Sequence, residues 1–344
     1  MPFQTSPSLR DITIALTMGE PGGIGGELTL RSWINRNTNN TPTFFAIDNA
    51  ARLKKIADDL GWIVDIKEIE SPDQCIETFP HALPVLPVGD IAEYTLGIAS
   101  PDTAPAVCRS IEMAVKMAMR GDIHALVTNP IQKNTLYEAG FEYPGHTEYI
   151  GHLSGGDEPI MMLASPDLRV VPLSIHESLI KAVTSISIET IVRKTKVVAE
   201  SLRHDFNIPE PRLAVAGLNP HAGEDGTMGK EEQTIILPAI DELRAGGLKV
   251  TGPTPPDALF MARTRPTYDA AICHYHDQAL IPIKALDVDR AVNVTIGLPI
   301  VRTSPDHGTA LDIAGTGKAE PSSLITALRM AHDIARNRQS GRTS

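Results

Sequence analysis

Residues 12–28 read ITIALTMGEPGGIGGEL, and their reading decides the fold class. Ile12–Met18 is an apolar, β-prone run; Met18–Leu28 then holds Gly22, Gly23, Gly25 and Gly26 before a helical pattern begins. A strand that turns through glycines directly into a helix is the start of a βα unit. Such a turn lets the backbone approach a ligand closely, and the free N–H groups at the helix start can hold an anion. The glycines lack the G-x-G-x-x-G spacing of a Rossmann dinucleotide loop, and no P-loop lysine follows. A plain tight βα turn accounts for the same residues equally well.

The alternation continues outward from there. Thr43–Ile47 and Trp62–Ile69 read as strands with a helix between them, which predicts an α/β protein with parallel strands. Val107, Ile111, Ala114 and Val115 share one helical face with Ala104 and Ala118, and Ile188, Ile191, Val192, Val198 and Leu202 share another. In the second half four apolar strands end in polar loops: Leu168–Ile175, Arg212–Leu218, Tyr268–His274 and Val292–Ile296.

With 344 residues, 42% of them hydrophobic, the chain can fill one large core or two ordinary ones. A net charge of −11 repels nucleic-acid backbones and anionic membranes, and seven Phe, six Tyr and two Trp are too few for base-stacking platforms. Neither nucleic acid nor a membrane is expected as a partner. Cys75, Cys108 and Cys273 form no C-x-x-C pair, and MPFQTSPSLRD lacks the apolar stretch of a signal peptide. A cytoplasmic enzyme is the expectation.

His176, His221 and His276 each stand at or just beyond the end of an apolar strand, in RVVPLSIH, LAVAGLNPH and AAICHYH. Side chains past strand carboxyl ends converge on one rim of an α/β sheet, where ligands bind. Three imidazoles there suit a divalent ion with open positions for substrate, with Asp277 as support for His276. Isolated histidines are more often core or surface residues, and His81, His124, His204, His274 and His332 are read that way. Lys284, Asn293 and Arg302, placed near the same rim with Arg302 on a loop, combine a point charge, a neutral donor and a bidentate fork suited to phosphate. Solvated surface charge is the plain alternative. PGHTE puts His146 and Thr147 at a helix start as candidate donors, where a simple Thr cap would serve as well.

The stretches LTMGEPGGIGGE, VTNPIQK, GHTEYI, GLNPHAGEDGTMG, GPTPPDALF, CHYHDQALIPIKAL and VNVTIGLPIVRTSPDHGTALDIAGTGKA together resemble the 4-hydroxythreonine-4-phosphate dehydrogenase family over nearly the whole chain. HGTALDIAGTGKA is also similar to the nucleotide-side loop of isocitrate and isopropylmalate dehydrogenases. The resemblance implies their two-domain α/β fold without a Rossmann fingerprint: one domain of 1–135 plus 312–344, and a middle domain of 136–311 carrying metal ligands and dimer contacts. It makes His176, His221 and His276 ligands of one divalent metal per site (zinc, magnesium, cobalt or manganese). His146, Thr147, Lys284, Asn293 and Arg302 become contacts of a small phosphorylated substrate. Gly25, His307 and Gly308 fall to NAD or NADP, and Asp257 and Asp277 to orienting or acid/base roles, with a helix cap and a structural ion pair as their plainer readings. It also implies a homodimer whose active site lies at the subunit interface. The family commonly reads Asp-Pro-Ala-Gly-Ile-Gly-Pro-Glu where Glu20–Glu27 here reads EPGGIGGE, so a helix-starting proline is absent.

The reaction so implied oxidises the C3 hydroxyl of 4-phosphooxy-L-threonine to a β-keto acid that loses CO2. Competing expectations are a paralogous dehydrogenase of erythronate 4-phosphate or of a cis-dihydrodiol acid, a metal-dependent hydrolase, and a non-catalytic ligand-binding protein.

Overall fold

The computed structural model describes residues 12–156, 158–287 and 289–341, so the reading of the first eleven residues lies outside it. The chain divides into two compact units, 12–159 with 298–341, and 160–297. The sequence-based boundaries were 135/136 and 311/312. The difference has a packing cause: the helix at 146–154 packs on the helix at 104–120, and the strand at 302–305 pairs with the strand at 125–128, so both stay with the first unit.

The first unit holds β1 (Ile14–Thr17), β2 (Phe44–Asp48), β3 (Ile66–Glu68), β4 (Leu83–Pro87), β5 (Ala125–Thr128) and, from the far end of the chain, β12 (Arg302–Pro305). They pair in the order β3-β4-β2-β1-β5-β12, all parallel. Its helices are α1 (Gly25–Ile34), α2 (Ala50–Asp59), α3 (Cys75–Thr78), α4 (Ala104–Arg120), α5 (Lys133–Glu138), α6 (His146–Ser154) and α12 (Ser322–Gly341). β1 and β2 are buried on both faces, as crossover helices require of a parallel sheet. The α4 stripe read from sequence packs Val107, Ile111, Ala114 and Val115 against Ala15, Phe45 and Leu126 in one core. Gly121, at φ 81°, ends that helix in a left-handed turn that a Cβ would disfavour.

The second unit holds β6 (Ile160–Ala164), β7 (Arg169–Pro172), β8 (Arg212–Ala216), β9 (Lys249–Thr254), β10 (Ala270–Cys273) and β11 (Val292–Ile296). Its helices are α7 (Leu179–Thr184), α8 (Ile188–His204), α9 (Leu237–Ala245), α10 (Pro256–Leu259) and α11 (His276–Asp287). The strand order is β11-β6-β7-β10-β8-β9. Here the all-parallel expectation fails, because β6 runs antiparallel to both β11 and β7. Only Ser165–Leu168 separates β6 from β7, too short for a crossover, and the Ser165 N–H closes the hairpin on the Leu168 carbonyl at 2.8 Å. Ser187 caps α8 by accepting the Thr190 N–H, and Val170, Ala214, Ala271, Cys273 and Ile283 centre the core.

Candidate functional site

In the first unit the chain leaves β1 toward β2 on one side and later returns to β5 on the other, so the topological switch point lies between β1 and β5. Crevices form at such points because the two βα connections diverge. Asn129, just past β5, ties this edge together: its Nδ2 donates to the Thr17 carbonyl at 2.9 Å and to Thr29 Oγ1 at 3.1 Å. Arg302 is the first residue of β12, not a loop residue as the sequence suggested. It is buried, and its Nη2 donates to Thr128 Oγ1 at 2.7 Å. Burial pushes its pKa down to about 10, with Glu148 opposing the shift, so the guanidinium stays charged at neutral pH.

His146 opens α6 directly after Gly145, which is the N-cap residue, so Thr147 is free of capping duty. Burial, and then the charges of Arg302 and Lys133, hold the His146 imidazole well below the usual histidine pKa. Its Nε2 is enclosed without a hydrogen-bond partner among the described residues, as is Glu148 Oε2. A neutral ring with unused hydrogen-bonding capacity beside two cations has the chemistry to accept an anion such as phosphate or carboxylate, with the Glu148 carboxylate offsetting part of their charge. Sequence reading missed Thr128, Lys133 and Glu148; VTNPIQK, which contains two of them, was the available signal.

The glycine turn and the segment that ends at Thr309 come together in the first unit. The Ile24 N–H donates to the Thr309 carbonyl at 3.1 Å, and a Cβ on Gly25 would stand 2.9 Å from the Met18 carbonyl. His307 Nδ1 lies 3.0 Å from the Gly308 carbonyl, and its Nε2 has no partner among the described residues. Glu27, wholly buried, accepts the backbone N–H groups of Gly315 and Gly317, the latter at 3.0 Å, and so fixes the following loop.

In the second unit β7, β10 and β8 are parallel neighbours, so His176, His276 and His221 all follow carboxyl ends on one edge. His276 Nδ1 sits 2.7 Å from Asp277 Oδ1, which fixes that nitrogen as donor and leaves Nε2 for a ligand. Donor chemistry and tautomer therefore fit a divalent ion. Among the described residues of one chain, however, no three His, Cys, Asp or Glu side chains gather closely enough to hold one. His274 is a buried core residue, as expected, but it stands just past β10 rather than within the strand; its Nε2 is 2.7 Å from the Ala216 carbonyl, while its Nδ1 has no partner among the described residues.

Lys284 and Asn293 do not stand at that rim. Lys284 is eight residues down α11, about 12 Å along the axis. Asn293 pairs with Leu163, which pairs with Val170, so it lies level with the amino-terminal half of β7. Its Oδ1 is enclosed without a partner among the described residues. Asp257 is exposed in the first turn of α10.

A cationic cluster beside β5 in the first unit, and imidazoles past the strand ends of the second, are the features of an α/β protein class that handles small anionic ligands. A family model described as pyridoxal phosphate biosynthetic protein PdxA matches residues 40–331, and the chain belongs to that family. A 4-hydroxythreonine-4-phosphate dehydrogenase of Bradyrhizobium diazoefficiens is 48% identical over 334 residues, covering 94% of this chain and 96% of that protein. The crystal structure of 4-hydroxythreonine-4-phosphate dehydrogenase from Klebsiella pneumoniae is similar at a TM-score of 0.84 and 35% identity, covering 94% and 99%. A terephthalate 1,2-cis-dihydrodiol dehydrogenase from Burkholderia xenovorans is similar at 0.64 and 25%, covering 94% and 98%.

Proposed function

We propose that this chain oxidises 4-phosphooxy-L-threonine to 2-amino-3-oxo-4-phosphooxybutanoate with NAD or NADP and a divalent metal, in pyridoxal 5′-phosphate biosynthesis. The product is a β-keto acid and decarboxylates to 3-amino-2-oxopropyl phosphate. One observation carries the reading: the 48% identity, over 94% of the chain, to a dehydrogenase of that name. The anion receptor supports it, since Arg302, His146 and Thr147 offer charge and donors to the substrate's phosphate. Held there by a group that does not itself react, the substrate contributes binding energy to positioning C3. Lys284 and Asn293 are assigned as further substrate contacts.

His176, His221 and His276 are the groups that would hold the ion, whether zinc, magnesium, cobalt or manganese. When bound, the metal supplies Lewis acidity and the nicotinamide accepts the hydride. Asp277 keeps the proton of His276 on Nδ1, and Asp257, exposed in the first turn of α10, is assigned an orienting or acid/base role. Gly25, His307 and Gly308 are assigned to the cofactor, and a crevice of about 960 Å³ lined by Arg52, Lys55, Tyr94 and Ile98 opens beside the same turn. We assign a homodimer, supported by exposed Leu179, Ile180 and Ile281 in the unit that carries the three histidines. The three cysteines are free, which supports a reducing, cytoplasmic setting. No described helix is long and apolar enough to cross a membrane.

The test is formation of reduced nicotinamide from 4-phosphooxy-L-threonine, erythronate 4-phosphate and a cis-dihydrodiol acid, each with NAD and NADP, with and without chelator. The first substrate is expected to dominate and chelator to stop it. The dihydrodiol acid is the second reading, because a structural relative bears that activity in its name and Arg302 also suits a carboxylate. Preference for it, or hydrolysis without reduced nicotinamide, would displace the proposal.

A further inference from the structure

The loop after β8 has the least ordinary backbone in the second unit. His221, Ala222, Gly223, Glu224 and Asp225 have φ of 51°, 53°, 81°, 41° and 54°, five successive left-handed residues of which one is glycine. Side chains disfavour this region, so such a run persists only where its surroundings hold it.

The principal holding group is the Glu232 carboxylate, with Glu231 Oε2 also accepting Asn219 Nδ2 at 2.8 Å. Glu232 is buried and begins a wide π turn, Glu232–Ile236, that leads into α9. Its Oε1 accepts the N–H groups of Leu218 and Asn219 at 2.8 and 2.7 Å, and its Oε2 accepts Asn219 Nδ2 at 2.8 Å. Gly223 lies directly against Oε2, where a Cβ would come within 2.7 Å. Asn219 is boxed from the other side by Gly229, which leaves no space for a side chain. One side chain thus grips the loop before His221 and abuts it just after.

We propose that Glu232 is a positioning residue: it fixes 218–219 and abuts Gly223, which holds the left-handed run that begins at His221 in place, and this sets where the His221 imidazole is presented. The inference rests on the reading of His221 as a metal-holding residue. A carboxylate that only fastened the end of β8 would leave ion binding unchanged, because it touches no ligand itself.

The experiment uses the full-length protein with Glu232→Ala, Glu232→Gln and His221→Ala, and Co²⁺ alone as probe. Affinity and the visible Co²⁺ spectrum are read, together with amide exchange of 218–226 in the metal-free protein. Glu232→Ala is expected to free the exchange of 218–226 and weaken Co²⁺ about tenfold to a hundredfold. Glu232→Gln, which keeps one acceptor oxygen, should fall between. Wild-type Co²⁺ affinity in the folded alanine variant would overturn the proposal whether or not its exchange is freed; should the alanine variant fail to fold, the glutamine variant alone decides. If Co²⁺ ignores the wild-type protein, or binds His221→Ala equally well, the reading of His221 fails instead. Exchange then judges the clamp: freed amides uphold it, and protected ones end it.

Discussion

His146 is an imidazole kept neutral by enclosure and by cations beside it, and that state has a stability signature. Its folded-state pKa lies below 6.5, so the unfolded chain binds the proton more readily. Its contribution is full above 6.5 and is lost as pH falls from there through the lower folded value. Replacing it by glutamine, which keeps hydrogen-bonding groups but does not titrate, should flatten part of the acid loss of stability. Denaturant melts at about pH 7.5 and 5.5 measure this; equal losses in both proteins would contradict it. The residue was legible in PGHTE because a Pro-Gly turn marks a helix start. Its neighbours Arg302 and Lys133 were not legible as partners, since 156 positions separate Arg302 from it along the chain.

Among elements, the glycine turn shows how a departure from the family pattern is accommodated. At Gly22 a Cβ would lie 2.1 Å from the Ile98 carbonyl oxygen, and the Gly97 N–H donates to the Gly22 carbonyl at 2.8 Å. The 95–98 loop therefore rests directly on the turn. Gly22→Ala, which restores the common family residue, should push that loop off at a cost of about 1–3 kcal/mol. Calorimetry and amide exchange at 95–98 measure it, and an unshifted melt with the loop still protected would speak against the packing described. At Gly26 a Cβ would meet the tip of Ile56 at 2.6 Å and the Arg52 guanidinium at 3.3 Å, side-chain ends rather than backbone, so the absent proline is the lesser constraint. The βα turn itself was plain in the sequence because glycine spacing and the apolar run are local signals. The β6–β7 hairpin was not, because neither Ile160–Ala164 nor its reversal shows until its partners are known.

For the molecule as a whole, the proposed dimer makes the exposed apolar residues of the second unit its decisive feature. Ile180, 79% exposed on α7, is expected to be covered in the dimer, so Ile180→Glu should shift sedimentation from dimer to monomer and abolish turnover while circular dichroism stays native. A wild-type monomer with full activity would refute this. The same assembly bears on the histidines, which share one strand edge but do not gather within one chain among the described residues.

By itself the sequence determined the α/β class, the βα turn, the faces of α4 and α8, the strand-end histidines and the helix start at His146. All of these are set by residues within a few positions of one another. Tertiary structure alone decided the strand order, the reversal of β6, the burial of Arg302 against Thr128 and the displacement of Lys284 and Asn293 from the expected rim. It also decided the grip of Glu232 on the left-handed loop. Each of these depends on pairing and desolvation between groups that the linear chain holds apart, and no local periodicity encodes such contacts.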